Sequence, residues 1–407
     1  MSNYCAFTIC SKNYLAQAIT LKKSFVKHNP NLDFYIFLAD TYDAELLKDY
    51  DGIISLNKSY VPAWEDMAFK YDVIEFNTSI KPFCIKKLFE SYEKIIYLDP
   101  DTYVVSPLNF IYDLLETKDF VITPHYNHIE NKFSGAVSEE ELLFVGIYNL
   151  GFCAIKRSLV GEQIVSWWMN RLQEKCYADK NDALHVDQKW IDFLPAFFPN
   201  NIYICHHPGI NMAIWNLHER ILITDNAPFK VRDLVTKEEF PLLFFHFSGF
   251  DPFNKKVLNR RHPQFNISDY PVYKNIIEQY SSEVYENGYE LFSKQCYGFN
   301  QFENGIRILP LNRRLYAKSA NLQSYDNLFS TEGKLYQYFK QHKMLSNCKN
   351  SNIAIQKVSV EQKNNDYKKL NKIMKLLFKV FNCDRYNAFL RALNRISLLN
   401  YQVEIFK

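Results

Sequence analysis

Glycine is scarce in this chain, 11 residues in 407. With so few, neither a G-x-G-x-x-G turn nor a Walker loop can be assembled, so the charge of a phosphorylated ligand would have to be met by a metal or by side chains. No run of about 18 uncharged apolar residues occurs, and no membrane-spanning segment is expected. The opening MSNYCAFTICSKNYL lacks the basic stretch and the apolar core of about 7–15 residues that a secretory leader needs, so none is expected there. Nine cysteines, an odd count, contain no C-x-x-C pair. That argues against a zinc ribbon or a disulfide framework and suits a reducing cytosol. Charge of one sign is also missing: a net charge of +3 gives no global field for nucleic acid. A basic partner surface would have to be local.

What is present is apolar, 47% of residues, enough for one large core and a smaller second one, since single cores stop growing near about 250–300 residues. The first 120 residues alternate β-rich runs (CAFTIC, DFYIFLA, GIISL, KIIYLD, VITPH) with helical patterns (YLAQAITLKKSFVKH, AELLKDY, SIKPFCIKKLFESY). Strands separated by such helical stretches indicate βαβ units, hence an α/β fold with a mainly parallel mixed sheet flanked by helices. From 145 to 250 the pattern is mixed, with YNLGFCAIKRS, NIYICHH and PLLFFHFSG as strands and GEQIVSWWMNRLQEKCY and DQKWIDFLPAFF as helices. Beyond about 260 the texture turns Tyr- and Asn-rich with helical spacing. This places a main α/β domain at 1–265 and a mostly helical C-terminal extension at 266–407, with 345–366 as a polar loop or linker.

The strand EKIIYLDPDTYVVSPL ends in two carboxylates. Residues i and i+2 of an extended segment point the same way, so Asp99 and Asp101 can address one point in space. Pro100 between them fixes φ and stops ladder pairing. Ligands of parallel sheets sit at the carboxyl ends of strands, and two convergent carboxylates there suit Mg²⁺ or Mn²⁺ holding a diphosphate. The competing reading is an Asx-type turn in which both aspartates cap backbone amides.

IIYLDPDTYVVSPL resembles the strand and D-x-D signature of the GT-A class of nucleotide-sugar glycosyltransferases, in particular the bacterial branch related to glycosyltransferase family 8. FTICSKNYL, SIKPFCIKKLF, YNLGFCAIKRS, HVDQKWIDFLP and FFHFSGFDP agree in the expected order, so the resemblance covers about residues 1–255. It implies a GT-A fold and metal-dependent transfer of a sugar from a nucleoside-diphosphate sugar, a UDP-sugar foremost, to a hydroxyl of a surface-glycan acceptor such as lipopolysaccharide or capsule. Asp99 and Asp101 would hold the metal and the donor's ribose and diphosphate, and His246 would complete the metal site, a ligand set acceptable to Mn²⁺. Lys81 stands where relatives present a basic residue to the donor, commonly arginine; lysine offers a point charge instead of a fork. Thr8 and Tyr14 fall where the nucleotide base is cradled. Asn149 and Gly151 match the N-x-G segment that passes beneath the sugar, where a glycine permits close approach. Asp187 and Gln188 match the D-Q pair facing the reacting carbon, Asp187 as general base or orienting group, although D-Q also reads as a helix start with Asp187 at the N-cap.

His125 and the segment GINMAIWNLHER, with Asn211, Trp215 and Asn216, are expected on the acceptor side, a tryptophan flanked by amides being a plausible saccharide platform. Trp167 and Trp168 read as core. Between Lys363 and Arg395 nine basic residues face Asp366 and Asp384, and Ile373, Leu376, Leu377, Val380 and Phe381 form an apolar stripe. Such a helix could lie on an anionic membrane surface, at the inner face of the cytoplasmic membrane, or pack on the catalytic domain with a solvated basic face. No nucleic-acid module is recognised. Two alternatives stay open: a non-catalytic scaffold of a glycan-assembly complex, and a haloacid-dehalogenase-type phosphatase. The latter also begins strand–D-x-D but carries Thr or Val where this chain has Tyr103.

Overall fold

The computed structural model describes residues 3–50, 52–253, 256–262, 265–346, 360–380 and 383–406. The chain forms two compact units, Met1–Trp64 with Val73–Tyr297, and Glu65–Asp72 with Gly298–Lys407.

The first unit is built on a seven-stranded sheet. Its strands are β1 (Tyr4–Cys10), β2 (Asp33–Leu38), β3 (Ile53–Ser55), β4 (Lys94–Leu98), β6 (Phe120–Ile122), β7 (Phe152–Lys156) and β8 (Ile202–Ile204), following the order β8-β6-β7-β4-β1-β2-β3; β5 (Thr102–Val104) lies outside it. Every neighbouring pair is parallel except those of β7, which runs against β4 and β6. The apolar runs explain the burial: all of β4 is buried, and Phe7 of β1 packs edge-on between Phe37 and Tyr97, at 5.8 and 5.1 Å. The helices Leu15–His28 and Lys81–Leu88 supply the crossovers of the βαβ units read from the sequence. Strand order reverses where β1 meets β4, and their carboxyl ends open the crevice in which such sheets bind ligands. Strand β9 (Phe244–His246) pairs antiparallel with β5, setting His246 opposite Thr102.

Two local expectations need refinement. DQKWIDFLPAFF is broken into two short helices, Gln188–Ile191 and Leu194–Phe197, because Pro195 opens a new helix instead of continuing the old one. The texture change near 265 is not where the compact units divide. Helix Lys274–Glu286 buries Ile276, Ile277, Tyr280 and Val284 in the first unit, with Tyr280 stacked on Phe247 at 4.0 Å, so the division falls after Tyr297.

The regular elements of the second unit among its described residues are helices, joined by turns and one bridge between Gln301 and Arg307. Phe69 sits at its centre, ringed by Tyr316 at 4.9 Å, Phe329 at 5.4 Å and Phe302 at 6.1 Å. The buried Arg313 guanidinium donates to the carbonyls of Ala68, Phe69, Tyr71 and Phe299. Most of the linker expected at 345–366 lies outside the described residues, and a helix runs over Val360–Val380. On that helix Leu370, Ile373, Leu376, Phe378 and Val380 are exposed, while Phe381 lies outside the described residues. Val403 of the last helix, Leu399–Phe406, is fully buried in the unit's core. No helix among the described residues is long and apolar enough to cross a membrane.

Candidate active site

Main-chain bonds hold the D-P-D turn on both sides. Asp99 N–H donates to Gly151 O at 2.8 Å, Thr102 N–H to Asp99 O at 3.0 Å, and Phe247 N–H to Asp101 O at 2.8 Å. The turn is therefore fixed by Gly151, just before β7, and Phe247, just after β9, and the two carboxylates are left to face the crevice together. Asp99 Oδ1 accepts from Tyr97 Oη at 2.6 Å, and His246 Nε2 lies 3.2 Å from Asp101 Oδ1 and 3.8 Å from Asp99 Oδ2. These carboxylates meet the side chains of Tyr97 and His246 instead of capping main-chain amides, unlike the Asx-type turn. Burial raises the Asp99 carboxyl above its usual range against the pull of Lys81 and His246. Burial disfavours the His246 imidazolium, yet Asp101 and then Asp99 outweigh it and hold its pKa above the ordinary histidine value.

The donor set fits a hard divalent ion. One ligand atom each from Asp99, Asp101 and His246 lie within 4.8 Å of one another, and two carboxylates with an imidazole suit Mg²⁺ or Mn²⁺. Gly151 makes the room: a Cβ there would stand 2.3 Å from His246 Cε1 and 2.7 Å from Nδ1. A scarce glycine is thus required by the close approach of backbone to imidazole, at a point where any side chain would displace the histidine.

These groups line a cavity of about 460 Å³, together with Tyr14, Lys81, Asn149, Asp187 and Gln188. Lys81 and Asp187 form a buried pair at 2.5 Å, and Lys81 Nζ also donates to Leu150 O at 2.9 Å and lies 4.0 Å from the Tyr97 ring centroid. Burial works against the Lys81 charge, but Asp187 and then Asp99 outweigh it and raise its pKa. Asp187 does sit before helix Gln188–Ile191, but its carboxylate makes no capping bond and turns to Lys81 instead. Val186 beside it has φ +42°, a left-handed conformation strained for a β-branched residue. The Gln188 amide is engaged with main chain, accepting from Leu150 N–H at 3.1 Å and donating to Val145 O at 2.9 Å. It holds the N-x-G segment in place. Burial, with Asp101 adding to it, pushes the Tyr14 phenol up to about 12.

Four expected residues are not in the cavity wall. Thr8 is wholly buried inside β1, two residues short of the strand end that Cys10 presents to the crevice. His125, Asn211 and Trp215 are no acceptor platform: all three are buried behind His246. The Trp215 ring stands edge-on to His246 at 5.1 Å and to His125 at 5.6 Å, so neither of its faces is offered to a sugar. Asn216 lies with them, bonded to the carbonyls of His125 and Asn211. Of the two tryptophans read as core, Trp168 is fully buried, whereas Trp167 is half-buried against Trp190 and Phe197.

Arg260 and Arg261 also line the cavity and were not anticipated. The loop that carries them is fastened by Arg260 N–H to Gly249 O at 3.0 Å and Asn259 Nδ2 to Ser248 O at 2.6 Å. The available signal was an adjacent arginine pair just past FFHFSGFDP, beyond the end of the recognised motifs.

Residues 5–157 match the family model described as glycosyl transferase family 8. Two uncharacterized proteins of Bacillus subtilis are similar. YfnF is 26% identical over 264 residues, covering 61% of this chain and 82% of its own, and YfnD is 22% identical over 269 residues, covering 64% and 82%. Among solved structures, the galactosyltransferase LgtC in complex with donor and acceptor sugar analogues is 16% identical with a TM-score of 0.40, covering 69% of this chain and 95% of its own. The bifunctional glycosyltransferase WbbM is 16% identical with a TM-score of 0.41, covering 70% and 52%.

Proposed function

We propose, from the premise that this chain is a glycosyltransferase with a family 8 domain over residues 5–157, that it moves a sugar from a nucleoside-diphosphate sugar, a UDP-sugar foremost, to a hydroxyl of a surface glycan such as lipopolysaccharide or capsule. One observation carries the reading: the ligand atoms of Asp99, Asp101 and His246 converge within 4.8 Å in the wall of a cavity large enough for a nucleotide sugar. When bound there, Mn²⁺ or Mg²⁺ would neutralise the charge that develops on a departing diphosphate.

The chain's own residues take the other parts. Asp99, Asp101 and His246 hold the cation, and Arg260 and Arg261 offer planar forks to phosphate oxygens on the same cavity wall. Tyr14 lies beside the carboxyl end of β1, suited to the base. Asp187, held by Lys81, presents a carboxylate to the sugar and orients its hydroxyls or the attacking one. Gln188 acts through the segment it braces, keeping Asn149 and Gly151 beneath the donor. The test is a panel of UDP- and GDP-sugars with and without Mn²⁺, scored by release of nucleoside diphosphate. Metal-stimulated release from at least one UDP-sugar is expected; silence across the panel, with metal supplied and bound, would leave the scaffold reading in its place.

The same reading puts the enzyme in the cytoplasm at the membrane's inner face, where a lipid-linked acceptor is presented. Its support is the helix Val360–Val380, whose exposed Leu370, Ile373 and Leu376 stand among exposed Lys368, Lys369, Lys372 and Lys375. Since Val403 is core, truncation would confuse the outcome, and charge reversal of these four lysines is the cleaner probe. Cosedimentation with phosphatidylglycerol vesicles should be lost in that variant. Undiminished binding would reject the membrane role.

A further inference from the structure

His246 has a second ring nitrogen, on the side away from the carboxylates, and its bonding is specific. His246 Nδ1 lies 3.0 Å from Asn211 Oδ1; Asn211 Nδ2 donates to Asn149 Oδ1 at 2.9 Å; Asn149 Nδ2 lies 3.2 Å from His125 Nε2; and His125 Nδ1 lies 2.9 Å from Ile147 O. Four side chains from four separate stretches of sequence thus form one continuous line, ending on a backbone carbonyl.

We propose that this line is a tautomer relay: His125, Asn149 and Asn211 are positioning residues that fix the proton of His246 on Nδ1 and leave the Nε2 lone pair aimed at the cation site. The proposal rests on the metal reading of Asp99, Asp101 and His246 given above. Its direction follows from the ends inward, because main-chain groups have no choice of role. Ile147 O can only accept, so His125 carries its proton on Nδ1 and its Nε2 presents a lone pair. That lone pair needs a donor, so Asn149 turns its NH₂ toward it and its carbonyl toward Asn211. Independently, Gly151 N–H donates to Asn149 Oδ1 at 3.1 Å, which demands the same rotation. Asn211 must then give its NH₂ to Asn149 and its oxygen to His246, and an oxygen there accepts a proton from Nδ1. Two anchors at different places in the line, Ile147 O and Gly151 N–H, agree on its polarity.

The surroundings maintain it. Burial keeps the His125 imidazole neutral, with a pKa lowered to about 4, so its bare Nε2 persists at ordinary pH. Asn211 has φ +54°, a left-handed conformation that asparagine tolerates better than most residues. Asn216 Nδ2 ties the carbonyls of His125 and Asn211 together at 3.2 and 3.0 Å, and the Trp215 ring fills the space between the two imidazoles. The amides placed beside Trp215 in the sequence thus serve the histidine instead of a sugar. Outer residues of this kind commonly alter metal affinity about 10–100-fold when removed.

The test is ¹⁵N-histidine NMR of the full chain with Mg²⁺, paired with Mn²⁺ titration by electron paramagnetic resonance. In the wild-type protein both His246 and His125 should carry the proton on Nδ1 with Nε2 unprotonated. Asn211→Leu should weaken Mn²⁺ binding about tenfold or more and lose the fixed Nδ1–H signal of His246. Asn211→Asp, which retains the acceptor facing Nδ1 but loses the NH₂ that Asn149 Oδ1 takes, should keep the Nδ1–H signal of His246. A wild-type spectrum with the His125 proton on Nε2 overturns the relay without any variant, and so does a folded Asn211→Leu that binds Mn²⁺ as tightly as wild type. Wild-type protein that binds no Mn²⁺ brings down the metal reading itself, and the relay's role with it.

Discussion

Asp187 and the Asp99–Asp101 pair line the same cavity, but their charges are met differently. Asp187 is bonded directly to the Lys81 ammonium at 2.5 Å, both groups almost wholly buried. Asp99 and Asp101 share a single imidazole at 3.8 and 3.2 Å. One corner has a cation bonded directly to its carboxylate; in the other, two carboxylates are in reach of one imidazole, with Lys81 acting on Asp99 from farther off. Burial makes such an imbalance expensive unless a further cation arrives. The contrast separates a corner that orients from a corner that binds, although both read in the sequence as acidic residues near a strand or helix end.

Removing a carboxylate from the unbalanced corner should have the largest effect on transfer. Asp101→Ala takes away a ligand whose loss no neighbouring group replaces, and metal-stimulated sugar release should fall by at least about a thousandfold. The variant should still fold, because the main-chain bond from Phe247 N–H to Asp101 O is kept. Full activity in that variant, with or without metal, would end the distinction between the corners.

The balanced corner should respond in stability. Lys81→Met leaves Asp187 buried without its partner, which typically costs about 3–5 kcal/mol. Adding Asp187→Leu should recover much of that loss while transfer stays abolished, since the carboxylate facing the sugar is gone. Urea unfolding of the single and double variants measures the difference. If Lys81→Met unfolds at the wild-type midpoint, the pair does not hold this corner together.

How much of this could be read beforehand depends on whether a residue's task is written in local spacing. Asp99 and Asp101 were legible because the period-2 rule puts them on one side of a strand that is apolar throughout. Gly151 stood out because glycine is scarce, and the clash its Cβ would make with His246 is the physical reason for it. The runs read in the first 120 residues formed the strands and helices their periodicity predicts, whereas helices Trp64–Lys70, Val73–Ser79 and Asn109–Thr117 were not anticipated. His125, Asn211 and Trp215 were assigned to the wrong side of His246, because an Asn–Trp–Asn cluster looks the same whether it faces a sugar or a histidine. Only the packing of Trp215 against both imidazoles distinguishes the two. Arg260 and Arg261 belong to an irregular loop without any period to betray it. The unit division after Tyr297 was hidden for another reason: helix Lys274–Glu286 has the polar texture of the extension while its stripe of Ile276, Ile277, Tyr280 and Val284 serves the first core.

The smallest effect expected is on pH-dependent stability, and it probes the neutral histidine buried behind the metal corner. Burial lowers His125 to about 4, helped by His246 and His185 and opposed by its bond to Ile147 O, whereas an unfolded histidine titrates near about 6.5. Between these values the unfolded chain binds a proton that the folded chain refuses, so stability rises with pH across that window. The contribution is fully present above about 6.5 and is lost as pH falls toward about 4, on the order of 3 kcal/mol in all. Replacing His125 with Gln removes the titrating group and should flatten this part of the stability–pH curve, measured by urea unfolding from pH 4 to 7. An unchanged slope in His125→Gln would mean that the imidazole accepts its proton while folded, and then His125 could not present the lone pair on which the orientation of Asn149 depends.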